Sequence, residues 1–176
     1  MGIAATESIR RQNDRLHAGI DAVGAFRDRL PEMQPQQVRK ELDDALVFLR
    51  HEVAPHAGAE ERVFYREVAR VLGVELGERM AGEHRYIDGL VQDLTELRHR
   101  VTAERAVPPE LSGVLGRLVD IVKAHLRLEE EVLQRLSERL TDSEICFLYE
   151  RMERAEFEAA VTSEGSAETT GFQEEH

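Results

Sequence analysis

The chain is short of several residue types at once. It has one cysteine, Cys146, and no tryptophan; aromatic residues make up 5% of it, and there are five prolines. A single cysteine excludes an internal disulfide framework and a thiolate zinc cluster. Few aromatics leave the core to aliphatic side chains. The opening residues, Met1 to Glu7, are too polar for a signal peptide. No stretch approaches the roughly 18 uncharged apolar residues of a membrane span. Basic charge is scarce too, with 23 Lys and Arg against 35 Asp and Glu and a formal net charge of −12. A binder of nucleic acid or of acidic membranes needs a positive surface, so neither is expected as a partner. A soluble, cytoplasmic domain is the expectation that remains. Its 176 residues, 41% of them hydrophobic, suffice for one domain with its own core.

What is present is helical periodicity. Apolar residues recur three and four apart and do not alternate as in strands. The first helix is expected over 7–30, with Thr6 or Ser8 as cap, Ile9, Leu16, Ile20, Val23, Phe26 and Leu30 inward, and Pro31 as its stop. The second is expected over 35–73, starting at Pro35 and kinked or briefly broken at Pro55. The third is placed at 75–100 and the fourth at 111–140, separated by a loop through Pro108 and Pro109. Thr141-Asp142-Ser143-Glu144 matches a capping box and opens a fifth stretch over 145–161. Four long helices with short joins imply an all-α, antiparallel up-down four-helix bundle with an additional C-terminal helical segment. Residues 1–161 form the bundle in this reading, and 162–176 a flexible acidic tail.

The seven histidines carry the functional signal. His56-Ala-Gly-Ala-Glu60-Glu61 and His125-Leu-Arg-Leu-Glu129-Glu130 repeat one form, His-x-x-x-Glu-Glu, on the second and fourth helices. Residues four apart share a helix face, so each pair can offer a nitrogen and a carboxylate to one centre. His17 falls within the apolar stripe of the first helix, and His84 between Met80 and Ile87 on the third. Each helix thus offers one histidine at interior depth, and two add a carboxylate. Bundle cores build metal sites in this way. Mixed imidazole and carboxylate ligands suit non-haem iron or manganese. His17, His56, Glu60, His84, His125 and Glu129 are more side chains than one ion ordinarily takes, which points to two.

Other residues read as bland or open. His51, about 140° from His56 around an ideal helix, is expected in solvent or behind a ligand. His99 and His176 read as surface, and Cys146 as a small, partly buried side chain. Glu61 and Glu130 sit one step round from the ligand positions, as solvated residues or as outer partners. Asp88, four residues after His84, could bind metal, orient an imidazole or face solvent. Tyr65 and Tyr86 are candidate neighbours of the cavity, where a hydroxyl could donate a hydrogen bond to a bound oxygen species; core packing is the alternative.

These residues resemble the hemerythrin-like, His-His-Glu cation-binding family. The resemblance rests on His17, on Phe48-Leu49-Arg50-His51-Glu52 through His56-x-x-x-Glu60-Glu61 and Phe64, on Glu83-His84, and on His125-x-x-x-Glu129-Glu130. It implies an up-down four-helix bundle around two non-haem iron ions joined by an oxo or hydroxo bridge, with Glu60 and Glu129 bridging. Oxygen-carrying members have a second third-helix histidine where this chain has Asp88, and a fourth-helix carboxylate at the position of Glu130. The set His17, His56-x-x-x-Glu60, His84, His125-x-x-x-Glu129 is more similar to a mycobacterial-type subgroup linked to catalase-like and nitric oxide peroxidase chemistry. The resemblance therefore implies hydrogen peroxide, nitric oxide or dioxygen as small-molecule partners, with turnover favoured over oxygen carriage. Binding or sensing of oxygen, nitric oxide or iron is the alternative. The assembly is expected to be a monomer or homodimer.

Overall fold

The computed structural model describes residues 2–102 and 107–168, with side chains described for 11–102, 107–159 and 161. The side chain of Ile9, the end of the acidic tail and His176 lie outside what is described, and the expected start at a Thr6 or Ser8 cap is corrected by a helix that already begins at Gly2. Helix α1 runs Gly2–Arg29, and Pro31 closes it in a short 3₁₀ turn, Leu30–Glu32. The second rod is continuous but not uniform. It consists of α2 (Pro35–Phe48), a π turn (Leu49–Val53), α3 (Ala54–Ala59), a second π turn (Glu60–Phe64) and α4 (Tyr65–Leu72). The expected disturbance at Pro55 is the first π turn. Proline has no N–H, and its ring crowds the carbonyl four residues back; one wider turn accommodates both.

Gly73 ends the rod with φ of 116°, a conformation unfavourable for residues with a Cβ. Helix α5 (Val74–Arg100) and helix α6 (Glu110–Ser137) follow. The expected capping box forms: the Thr141 N–H donates to Glu144 Oε2 at 2.8 Å, and the Glu144 N–H donates to Thr141 Oγ1 at 3.3 Å. It starts α7 (Asp142–Glu168), which extends past the expected end at 161. No described helix is long and apolar enough to cross a membrane.

Two apolar clusters fill the bundle. One gathers Leu16, Ile20, Phe26, Leu42, Leu49, Ile87, Leu94, Leu115, Leu118 and Leu126 with their neighbours. The other joins Val63, Phe64, Val68, Met80, Val132 and Leu136 to Leu148, Met152 and Ala155 of α7. Helix α7 therefore folds back onto the bundle, packing on α1, α3 and the second π turn. Arg62 ties the layers together, donating to the carbonyls of Gly58 at 3.0 Å and Ala155 at 3.2 Å. Along α6 the sequence passes from Val122 in one cluster to Val132 in the other, and along α5 from Met80 to Ile87. The residues between them, His125, Glu129 and His84, form a polar layer across the bundle.

Two glycines five residues apart on α1 make opposite predictions. A Cβ on Gly24 would meet Val119 at an ordinary 3.7 Å, whereas a Cβ on Gly19 would stand 2.1 Å from the Phe48 ring. Gly24→Ala is expected to raise stability by about 0.5–1 kcal/mol through lower backbone entropy in the unfolded chain. Gly19→Ala is expected to lower it, because displacing the ring costs about 1–3 kcal/mol. Urea unfolding of the two variants checks the contrast.

Candidate metal centre

The polar layer collects five of the six expected ligand side chains. His56 stands at the middle of α3 and Glu60 opens the second π turn; α5 supplies His84, and α6 supplies His125 and Glu129. All five are buried, and the two carboxylates are fully so. They divide into two triads that share Glu60, namely Glu60 with His84 and His125, and His56 with Glu60 and Glu129. In the first, Glu60 Oε2 lies 3.0 Å from His84 Nε2 and 3.5 Å from His125 Nε2, and the two nitrogens are 3.0 Å apart. In the second, His56 Nε2 lies 3.7 Å from Glu60 Oε2 and 3.5 Å from Glu129 Oε2.

Each imidazole is held from behind by a carboxylate. His56 Nδ1 donates to Glu156 at 2.7 Å, His84 Nδ1 to Glu61 at 3.1 Å, and His125 Nδ1 to Glu83 at 2.9 Å. A proton on Nδ1 leaves Nε2 with its lone pair facing inward, the tautomer that a metal ligand needs. On the inner side, His56 Nε2, Glu60 Oε1 and both oxygens of Glu129 are buried without a hydrogen-bond partner. Lone pairs and carboxylate oxygens converging in a buried layer repel unless a cation or proton stands among them. The donors thus fit two cations that share Glu60.

Charge is distributed unevenly over the layer. Burial opposes ionisation of Glu60, but His56, His125 and His84 outweigh it and hold this carboxyl well below its ordinary range. Burial, and then the Glu60 charge, push Glu129 upward. Burial disfavours a charged His56, yet Glu60, Glu129 and Glu156 together hold it well above its usual value. His125 is raised in the same way, against burial, chiefly by Glu60.

Tyr65 joins the first triad. Its hydroxyl lies 2.9 Å from His84 Nε2 and 3.3 Å from His125 Nε2. Burial and the surrounding carboxylates, Glu60 first, raise its pKa, so the side chain is a phenol at neutral pH before any cation binds. A small cavity of about 60 Å³ opens beside both triads. Its walls include Leu16, Leu49, Val53, Ile87 and Val91, with Arg50 and Asp88 also on the lining.

Several expectations resolve differently. His17 is not brought to the cluster: its side chain is 36% exposed and faces Glu130 at 3.4 Å. Helix α7 packs on both α1 and α3, and its Glu156 is the residue behind His56. Asp88 is exposed and lies on the cavity lining; the imidazole of His84 is oriented by Glu61 instead. Glu61, half-exposed, is thus an outer partner, whereas Glu130 pairs with His17. Tyr86 is 48% exposed, and His51 and His99 face solvent. Sequence reasoning missed Glu156 and the part played by Glu83. No spacing rule connects Glu156 to a histidine a hundred positions away.

Inward imidazoles and carboxylates from three rods of a helical bundle define a candidate metal-binding bundle protein. The family model described as the hemerythrin HHE cation binding domain matches residues 4–137. The chain belongs to that family, and α7 is an extra helix beyond the matched bundle. No curated protein and no solved structure gives a match.

The outer carboxylates generate a prediction. Glu156→Ala should weaken metal binding by about 10–100-fold, the usual effect of losing a partner behind a ligating imidazole. Glu156→Gln keeps an acceptor and should lose less, and His51→Ala should leave affinity unchanged. Competition with a chromophoric chelator measures all three.

Proposed function

We propose that the protein is a non-haem di-iron protein acting on small oxidants, with catalase-like or nitric oxide peroxidase activity. His56, Glu60, His84, His125 and Glu129 would hold the iron, with Glu60 common to both triads. The observation that carries this reading is the set of buried, unpartnered inner atoms of His56, Glu60 and Glu129 beside a small, mostly apolar cavity. Imidazoles with carboxylates are the donor set of non-haem iron or manganese; the family resemblance selects iron.

Bound iron would supply Lewis acidity and electron transfer. The chain supplies the rest. Glu61, Glu83 and Glu156 hold three imidazoles in the ligating tautomer. The carboxylates of Glu60 and Glu129 offset the charge of the ions. Apolar walls admit small uncharged molecules and limit water. Peroxide turnover of the catalase type converts two hydrogen peroxides to two waters and one dioxygen, without an outside reductant. The alternative is reversible binding of dioxygen or nitric oxide without turnover. The same lining is compatible with it, since dioxygen and nitric oxide are small and uncharged.

Protein purified without a histidine tag should contain two irons per chain and evolve oxygen when peroxide is added. Metal analysis and an oxygen electrode make the two measurements. Glu60→Ala should lose both irons, because both triads use it, whereas Glu129→Ala should lose chiefly the ion of the His56 triad. Two irons without oxygen evolution would select the binding protein over the enzyme. Zinc alone, or no metal, would overturn both.

A further inference from the structure

We propose that Tyr65 is itself a ligand, binding the ion of the Glu60, His84 and His125 triad through its phenolate oxygen. This rests on the reading of the centre as an iron site and adds a ligand type that the His and Glu motifs do not contain.

Donor atoms bound to one first-row metal ion at about 2.0–2.2 Å stand about 2.8–3.6 Å from their neighbours in tetrahedral or octahedral arrangements. Tyr65 Oη, His84 Nε2, His125 Nε2 and Glu60 Oε2 satisfy this on five edges of their tetrahedron: 2.9, 3.3, 3.0, 3.0 and 3.5 Å. The hydroxyl is placed against both imidazole nitrogens at once, as a fourth donor to the same centre.

Hydrogen-bond accounting agrees. In the neutral form that a ligating imidazole takes, with Nδ1 of His84 and of His125 each donating to a carboxylate, both Nε2 atoms present lone pairs, 3.0 Å apart. Tyr65 has one proton and can satisfy one of them. A second lone pair, a phenol oxygen and a carboxylate oxygen then still face one another in a buried space. A cation at their centre satisfies all four donors.

The backbone supplies an independent observation. Tyr65 is five residues after Glu60, a spacing that turns the two side chains about 140° apart on an α-helix. Here the Tyr65 N–H bonds the Glu60 carbonyl across the π turn Glu60–Phe64. An i to i+5 bond lengthens the turn by one residue, so position i+5 comes round towards the face of position i. The π turn therefore delivers Tyr65 to the triad that contains Glu60.

On binding, the phenol O–H bond breaks, an oxygen–iron bond forms and the proton leaves to solvent; no electron moves. A trivalent cation supplies the local field that makes this loss favourable in a buried site.

The test uses the full chain, loaded with a ferrous salt and oxidised in air, with iron content measured throughout. Ferric phenolate gives a visible charge-transfer band, and excitation into that band enhances tyrosine ring modes in the resonance Raman spectrum. Those modes should appear in the wild type, shift with ring-deuterated tyrosine, disappear in Tyr65→Phe and persist in Tyr86→Phe and Tyr149→Phe. Two irons per chain with no tyrosine modes in the wild type would overturn the Tyr65 assignment alone and leave the di-iron reading standing. Modes that survive in Tyr65→Phe would also overturn it. Absence of bound iron would overturn both. The isotope shift needs no variant, so a Tyr65→Phe protein that fails to fold does not remove the test.

Discussion

Three imidazoles and two carboxylates converge at one buried level of the bundle, and the rest of the structure is arranged around neutralising them. Burying ionisable groups without partners is costly, and the cost rises as they are brought together. The protein meets it from two sides. Outside, Glu61, Glu83 and Glu156 accept the Nδ1 protons. Inside, the unpartnered atoms share a space that fits cations. The apolar clusters above and below are separated by this layer, so the second rod, α5 and α6 each alternate between packing and candidate coordination along their length.

Helix α7 changes what the family bundle does at one end. It lies beyond the residues matched by the family model, yet it completes the second apolar cluster and places Glu156 on His56. The two triads thereby differ. The His84 and His125 triad has the Tyr65 hydroxyl beside it, whereas the His56 triad depends on a carboxylate from the added helix. His17 stands apart on α1, paired with Glu130. Two ions held there would sit in unequal fields.

Much of this was legible in the residues. Periodicity placed the four bundle helices, because an amphipathic face buried against neighbours must repeat every three or four positions. Pro55 marked the first π turn, since proline's missing N–H is a local property. The doubled His-x-x-x-Glu located four of the converging side chains, because i and i+4 share a face whatever the tertiary structure does. His84 was legible through its place between Met80 and Ile87, both of which are buried. His17 looked equivalent by the same logic, beside Leu16 and Ile20, but a stripe defines a half-turn of helix surface and not a rotamer. Tyr65 was visible only as a neighbour, because nothing in the spacing announces a π turn after Glu60.

By itself, then, the sequence determined the helices, their buried faces and the chemistry of the inward residues, all consequences of short-range covalent geometry and polarity. Only the tertiary structure decided which of those residues meet. It turned His17 onto Glu130, set Glu156 behind His56 and brought Tyr65 to two imidazoles. Those outcomes depend on how α1 packs against α6 and α7 against α3, and on one widened turn. Both are fixed by the competition of many contacts for the same space, which a one-dimensional pattern does not record.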